Sequence, residues 1–526
     1  MYLTLKLRVL IAVLILALLP LVVSAQAPGP DETTLIVAQS TDVTSLDPPQ
    51  VGARPESNVV AHLFGNLYDI DVAGNITPSL AEDVRVSEDG TEYTFTLREG
   101  LTCHNGEPLT AEDVVYTFQR AADPELAFTG NTPGFVFSSM GYVDARVDGE
   151  LEPTIIIDAR NSIALGLITE VRIYCMDTYE AMTLEEAANN PVGSGPYRFV
   201  EWVRDDYLLM EKWDDYALFD PDTFEQIVWR VIPEASTRVA ELIAGNVDII
   251  TNVLPDQHDA VNNSGVAEIQ AVQGFRRIFI GFNFTDNVEG LPGAEEVQDP
   301  AVRVALQYAV DVPTICAARL GVECERANGM VNAPNNHPEL EPYPYDPEQA
   351  EALLDEAGYP RDENGVRFEM ILQGGRNRYL NDEAVILTIC QYLDDIGVQT
   401  DCQIQDFNTE FIPALVSQQA GPMYFVGSGG GNWNPLYEMA DLAGTDSNPN
   451  YGRWFNEEWF SSWDRLAEVG NPEEEREIVL NMLEIFYNDP PWLMLYFQPD
   501  FYGVSTRLAW EGRRDEKLYV QDATLR

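Results

Sequence analysis

Short strand-like and helix-like segments alternate along nearly the whole chain, with no internal repeat and no low-complexity linker. That alternation restricts the chain to α/β architectures in which helices cover sheets. Thr34 to Ala38 reads as a first strand, followed by a loop from Ser40 to Pro49. Tyr93 to Arg98 alternates large apolar with polar side chains, the period of a half-buried strand. Thr110 with Asp113 forms a capping box ahead of Val114, Val115 and Phe118. Asp299-Pro300 and Asp346-Pro347 each place an N-cap before a proline at the first helical position. Val302, Ala305, Leu306 and Ala309 line one face of the first of these helices. Ala350, Leu353, Leu354 and Ala357 line the second, and Gly358 ends it. At about 150 residues per domain, 526 residues make roughly three domains. The expected fold class is α/β with more than one lobe.

The N-terminus carries an export address. Lys6 and Arg8 precede an apolar run from Val9 to Val23, broken only by Pro20, and Val23-Ser24-Ala25 offers small residues for cleavage before Gln26. The run is shorter than the ~20 residues of a membrane span. No cysteine follows it, so no lipid anchor is expected, and no later stretch is apolar enough to span. The expected product is a cleaved, soluble, exported chain. Its six cysteines are then expected in disulfides. Fifteen pairings are possible. Cys316 and Cys324 flank a glycine-containing turn, Cys390 falls on a helix with Cys402 on the strand returning beside it, and Cys103 and Cys175 remain.

Charge removes whole classes of partner. Against 86 acidic side chains stand 31 basic ones, a formal net charge of −55. Phosphate backbones and anionic membranes would be repelled, so no nucleic-acid partner is expected. A hydrophobic content of 45% excludes a disordered acidic tail. Catalytic signatures are missing: no HExxH, no GxSxG, no GxxxxGK[ST]. The four histidines, His62, His104, His258 and His337, have no ligand spacing. His104, between a strand and a glycine turn, is expected to make a structural hydrogen bond. No metal, no cofactor and no enzymatic activity are expected.

Six segments in order carry a resemblance. Residues 79–120, SLAEDVRVSEDGTEYTFTLREGLTCHNGEPLTAEDVVYTFQR, are the strongest. Gly193-Ser194-Gly195-Pro196-Tyr197 with Trp202 follows, then Asn283 with Asp299 to Asp311, then Tyr345-Asp346-Pro347 through Ala357-Gly358-Tyr359. Arg378-Tyr379-Leu380-Asn381-Asp382 through Gly397 and Pro490-Pro491-Trp492 complete the series. Together they resemble the extracellular solute-binding protein family 5, receptors of ABC importers for peptides, nickel complexes and some oligosaccharides. The resemblance implies a two-lobed periplasmic binding protein of the class II, Venus-flytrap type with an extra inserted domain. Residues 26–68, 191–283 and 490–526 would form the first lobe, 69–190 the inserted domain and 284–489 the second lobe. Crossing strands near Asn283 and Pro490 would be the hinge. It further implies a monomeric periplasmic receptor that captures a small solute by lobe closure and hands it to an ABC permease. An oligopeptide or dipeptide is the first expectation, and a neutral oligosaccharide or a nickel complex the alternatives.

The expected ligand contacts are Ser40, Thr41, Arg376, Gly431, Asn432, Trp433 and Asn434. In the loop Gly427–Pro435 glycines let a ligand approach the backbone. Trp433 offers a stacking face, and Asn432 and Asn434 offer donors and acceptors. Many peptide-binding members hold an aspartate for the peptide ammonium where Gly431 stands, and Asp441 is a distant substitute. Arg376 aligns with an arginine that grips the ligand carboxylate in dipeptide-binding relatives. Ser40 and Thr41 follow the first strand and face the expected cleft. Phe279, Phe282 and Phe284 are expected to build core. The acids are expected outside the cleft.

Overall fold

The computed structural model describes residues 28–526 except 129, 217, 219–222, 325, 332–334, 430–433, 444–449 and 470. The first strand, β1 (Thr34–Gln39), is buried along its whole length, as its apolar run requires. Helix α1 (Arg54–Leu63) follows. A separate four-stranded sheet comes next, formed by β2 (Ala81–Val86), β3 (Glu92–Leu97), β4 (Tyr142–Gly149) and β5 (Glu152–Ile157) in the order β2-β3-β5-β4. Helix α2 (Ala111–Ala122) packs on it. The expected capping box is formed: Thr110 N–H donates to Asp113 Oδ2 at 2.7 Å, and Glu112 N–H donates to Thr110 Oγ1 at 3.3 Å.

The chain then returns to the first sheet with β6 (Tyr197–Val203), β7 (Tyr207–Lys212), β8 (Gln226–Val231) and β9 (Ile249–Ile250). The long β10 (Ala267–Phe282) leaves it. Helices α3 (Pro300–Tyr308) and α4 (Pro347–Glu356) come next. Asp299 and Asp346 cap them as expected, accepting from Ala301 N–H and Gln349 N–H at 2.9 Å each. Strand β11 (Phe368–Arg376), helix α5 (Asp382–Asp395), β12 (Val398–Asp406), β13 (Met423–Ser428), helix α6 (Pro435–Ala443) and helix α7 (Pro472–Asn488) complete the second half. The long β14 (Trp492–Ser505) crosses back.

Ten strands from the two halves share one sheet, ordered β12-β11-β13-β10-β14-β9-β1-β8-β7-β6. Only β10 and β14 belong to both halves. Their antiparallel pairing runs from Ala267↔Ser505 to Gln273↔Pro499 beside β9, breaks, and resumes from Arg277↔Phe497 to Gly281↔Trp492 beside β13. The crossover is therefore the bulge between Gln273 and Arg277, where a strand bends and its ladder is interrupted. Asn283 is not at the crossover. It is buried in the second half, where its Nδ2 donates to the Ala420 carbonyl at 2.9 Å. Phe279 stacks on Trp492 with ring centroids 4.0 Å apart, Phe282 is buried, and Phe284 packs half-buried against the same core, as expected.

All three disulfides form in the expected pairing: Cys103–Cys175, Cys316–Cys324 and Cys390–Cys402, with Cα separations of 6.1, 5.9 and 6.6 Å. The first lies next to a junction that joins two of the six ordered segments. His104 Nε2–H donates to the Gly195 carbonyl at 2.9 Å, and Gly193 N–H donates to His104 Nδ1 at 3.2 Å. The glycines are there for space: a Cβ on Gly193 would lie 1.8 Å from the Leu63 carbonyl oxygen, and one on Gly195 2.6 Å from the Leu63 carbonyl carbon.

Candidate functional site

Strand alternation sends consecutive side chains of β14 to opposite faces. Phe497 points to the outside of the crossover, where with Gln273 and Arg514 it borders a groove of about 1150 Å³. Gln498 and Asp500 point between the halves, into a residual cavity of about 40 Å³. That is room for little more than a water molecule. Phe135, from the region of the four-stranded sheet, meets Tyr437 of α6 edge-on with centroids 5.5 Å apart.

The inner cavity gathers groups from distant parts of the chain. Gln39 ends β1, Arg54 starts α1, and Asn58 lies one helical turn further. Arg378 reaches in from the second half, just after β11, and Asp500 and Glu516 come from β14 and the segment after it. Arg276, in the crossover bulge, grips Glu516 with two parallel bonds, Nε–Oε1 at 2.5 Å and Nη2–Oε2 at 2.8 Å, the bidentate geometry a guanidinium favours. Backbone strain collects here too. Asn252 of the cavity wall, Asn377 beside Arg378, and Glu516 have φ of 54°, 70° and 58°. Left-handed backbone costs roughly 1–2 kcal/mol for an ordinary L-residue, and such strain persists where the surroundings enforce it, often at binding sites.

The ionisation states follow from the pairing. Burial works against the Glu516 carboxylate, but the Arg276 guanidinium, aided by Arg378 and Arg54, holds its pKa well below the usual range. Asp500 goes the other way: burial, then the Glu516 charge, raise it far above the carboxylate range. Asp500 Oδ2 is buried with no hydrogen-bond partner among the described residues. Arg378 is half-buried, its pKa lowered first by burial and then by the neighbouring Arg276 charge. Its guanidinium lies 5.1 Å from the Tyr379 ring and makes no hydrogen bond or ion pair with any described residue.

The expected contacts are distributed differently from the sequence reading. Gly431, Asn432 and Trp433 lie outside the described residues. Asn434 is described, and its Oδ1 accepts from Leu436 N–H at 2.9 Å at the start of α6. Ser40 and Thr41 are half-buried in a turn anchored by Asp42, whose carboxylate accepts from Trp202 Nε1 and Asp205 N–H. Gln39 lines the cavity in their place. Arg376 ends β11 exposed, in register with Asp406 of β12, and Arg378 enters the cavity. Asp441 is not free to substitute for the missing aspartate: it and Glu438 both pair with the fully buried Arg277. The acids are not all outside, since Asp500, Glu438 and Asp441 are buried. No short motif marks Arg54, Asp500 or Glu516, which only the fold brings together.

This geometry meets its counterpart among known proteins. Residues 75–450 match the family described as bacterial extracellular solute-binding proteins, family 5 middle. The chain belongs to this family. It is 28% identical over 470 residues to the heme-binding protein A of Haemophilus influenzae, covering 82% of this chain and 81% of that one. It is 23% identical to the glutathione-binding protein of Escherichia coli, covering 88% of each. The fold resembles a Campylobacter jejuni protein solved with Ni(L-His), TM-score 0.81 at 19% identity, over 94% of this chain and all of that one. It also resembles the Bacillus subtilis oligopeptide-binding protein solved with a nonapeptide, TM-score 0.79 at 20% identity, over 95% of this chain and all of that one. Family members are two-lobed substrate-binding proteins of ABC transporters, and this chain is one of them. They are binding proteins, extracellular or periplasmic, that deliver small molecules to a permease.

Proposed function

We propose that this chain is the periplasmic receptor of an ABC importer, exported with cleavage of residues 1–25, working as a single copy, and capturing an oligopeptide or dipeptide. The observation that carries this reading is the crossover. Two strands alone connect the halves of the sheet, and charged groups from both sides of the connection converge on one inner cavity. Such a linkage favours hinge motion, and a ligand that touches both sides stabilises the closed form. The division into 26–68, 191–283 and 490–526, an inserted 69–190, and 284–489 fits the sheet order, with the bend moved to Gln273–Arg277. Ligand contacts are assigned to Arg54 and Arg378, with Ser40, Thr41, Gly431, Asn432, Trp433 and Asn434 as further candidates.

A neutral solute such as an oligosaccharide is the second reading. It is favoured by the pairing of Asp441 with Arg277, which takes up the acid the sequence offered for a peptide ammonium. Nickel is less favoured, because His62 and His104 have both ring nitrogens engaged. Calorimetry with short peptides and with maltodextrins, paired with small-angle scattering, tests these readings. A peptide that binds and compacts the protein supports the first. A sugar that does so replaces it, and the absence of any ligand-induced compaction refutes a closure mechanism.

A further inference from the structure

Between Gln273↔Pro499 and Arg277↔Phe497 the ladder leaves Gly274, Phe275 and Arg276 opposite Gln498 alone. A bulge held by nothing else would bend anywhere along its length. This one is held. The segment after β14 runs beside it as a splint. Arg514 Nε donates to the Gln273 carbonyl at 2.8 Å, and Phe275 N–H donates to the Arg514 carbonyl at 2.9 Å. The Arg514 guanidinium covers the Phe275 ring at 4.3 Å, and Arg276 makes its bidentate pair with Glu516. Further back, Gln270 Nε2 donates to the Trp510 carbonyl at 2.8 Å, and its Oε1 accepts from Gly512 N–H at 2.9 Å. From Gln270 to Arg276, β10 is therefore fastened to the first half.

The next residue is fastened to the other half. Consecutive strand residues face opposite sides, and Arg277, fully buried, turns into the second half. It pairs with Glu438 and Asp441 of α6, and donates to the Met330 and Glu438 carbonyls at 3.0 and 3.1 Å. Strand β14 divides at the same level. Gln498 Oε1 accepts from Leu380 N–H of the second half at 3.1 Å, whereas Asp500 is in register with Val272 of the first. Pro499 stands between them and has no N–H to give the ladder. We propose that Arg276 and Arg277 are positioning residues that divide the crossover between the halves, so that closure turns on the Arg276–Arg277 peptide of β10 and on Pro499 of β14. This rests on the closure reading above and locates its axis to the residue. Neither arginine belongs to the cavity wall. They act on the ligand only through the strands, by confining a hinge to one line across the sheet.

The test uses the full exported chain without ligand and two measurements. Residue-resolved amide hydrogen exchange reads local opening. Spin labels on Asp259→Cys and Glu458→Cys, exposed residues of the first and second halves, read the spread of interlobe distances. If the splint moves with the first half, the Phe275 amide keeps its bond through every opening, and it should exchange as slowly as Val228 within β8. A bulge that bends along its length breaks that bond each time, so a Phe275 amide that exchanges freely in the wild type overturns the assignment. Arg276→Gln should speed Phe275 exchange about 10-fold or more, the scale of a lost charge-assisted hydrogen bond, and broaden the interlobe distances, with Val228 unchanged. That variant leaves Glu516 buried without its partner, which can destabilise the whole fold. The double variant Arg276→Met with Glu516→Met removes both charges and should give the same local effect. If Val228 accelerates together with Phe275 in both variants, the pair is only a stabiliser and the assignment falls. Unchanged Phe275 exchange and unchanged distances in both variants also overturn it, and leave the receptor reading standing when the wild-type distances span open and shut forms. One narrow distance in the wild type and in every variant overturns both.

Discussion

Acidification should unfasten the first lobe at one histidine. His62 is fully buried on α1. Its Nδ1–H donates to the Asn58 carbonyl at 2.7 Å, its Nε2 accepts from Val520 N–H at 3.2 Å, and Trp229 and Tyr197 meet the ring edge-on. An imidazolium would have to donate from both nitrogens, and Nε2 faces a donor. Burial lowers the pKa from 6.5 to about 4. The folded pKa lies below the unfolded one, so the unfolded chain takes the proton first, and stability falls as pH drops from about 6.5 toward about 4. Between about pH 7 and pH 4.5 the loss from this residue alone is about 2.5 kcal/mol, at roughly 1.4 kcal/mol per unit. Asp500, Asp441 and Asp382 work against it, since burial raises their pKa values and they stabilise the fold as pH falls. The diagnostic quantity is therefore a difference. Urea unfolding of wild type and His62→Gln at both pH values should show the wild type losing about 2.5 kcal/mol more than the variant. An imidazole resonance titrating near the unperturbed value, or equal losses in the two proteins, refutes the reasoning.

Three further outcomes are expected. Gly193→Ala puts a methyl 1.8 Å from the Leu63 carbonyl oxygen and should cost about 3 kcal/mol or more in thermal unfolding, whereas Gly106→Ala, with open space around it, pays mainly for its left-handed backbone and should cost less. Replacing Cys103 and Cys175, 72 residues apart, by serine should cost about 4 kcal/mol by loop-closure entropy, and a denatured, non-reduced sample should show no free thiol by titration. Glu438→Gln removes one of two carboxylates competing for Arg277 and should be near neutral in melting temperature, whereas Arg277→Met leaves both acids buried and unpaired and should cost about 3–5 kcal/mol.

What was legible in the sequence was local. Each cap at Thr110, Asp299 and Asp346 is decided within four residues, and two of the disulfides span short loops, so spacing suffices. The ordered segments at 103–105 and 193–197 were legible as resemblance, and the structure supplies their reason in the His104 bonds to Gly193 and Gly195. The cavity was not legible. Arg376 and Arg378 are two residues apart and would share a face in a continued strand. β11 ends at Arg376 and Asn377 is left-handed, φ 70°, so which of the two enters the cavity is decided by how the chain leaves the strand. Glu516 and Arg276 are 240 residues apart, and no short-range pattern connects them. The resemblance implied a crossover near Asn283 and Pro490; the bulge beginning after Gln273 leaves no mark on periodicity, and Asn283 is buried in the second half with its own hydrogen bonds.

The placement of the disulfides has a mechanical consequence. Cys316–Cys324 and Cys390–Cys402 both lie between β10 and β14, and Cys103–Cys175 ties the four-stranded sheet region to the strand-return before β6. None spans the bend. The molecule resembles a clamp whose jaws are riveted and whose pivot is left free. Oxidation outside the cell can harden each jaw against heat and proteases without favouring open or shut. A cysteine pair engineered across the pivot would be the first covalent bond to take a side.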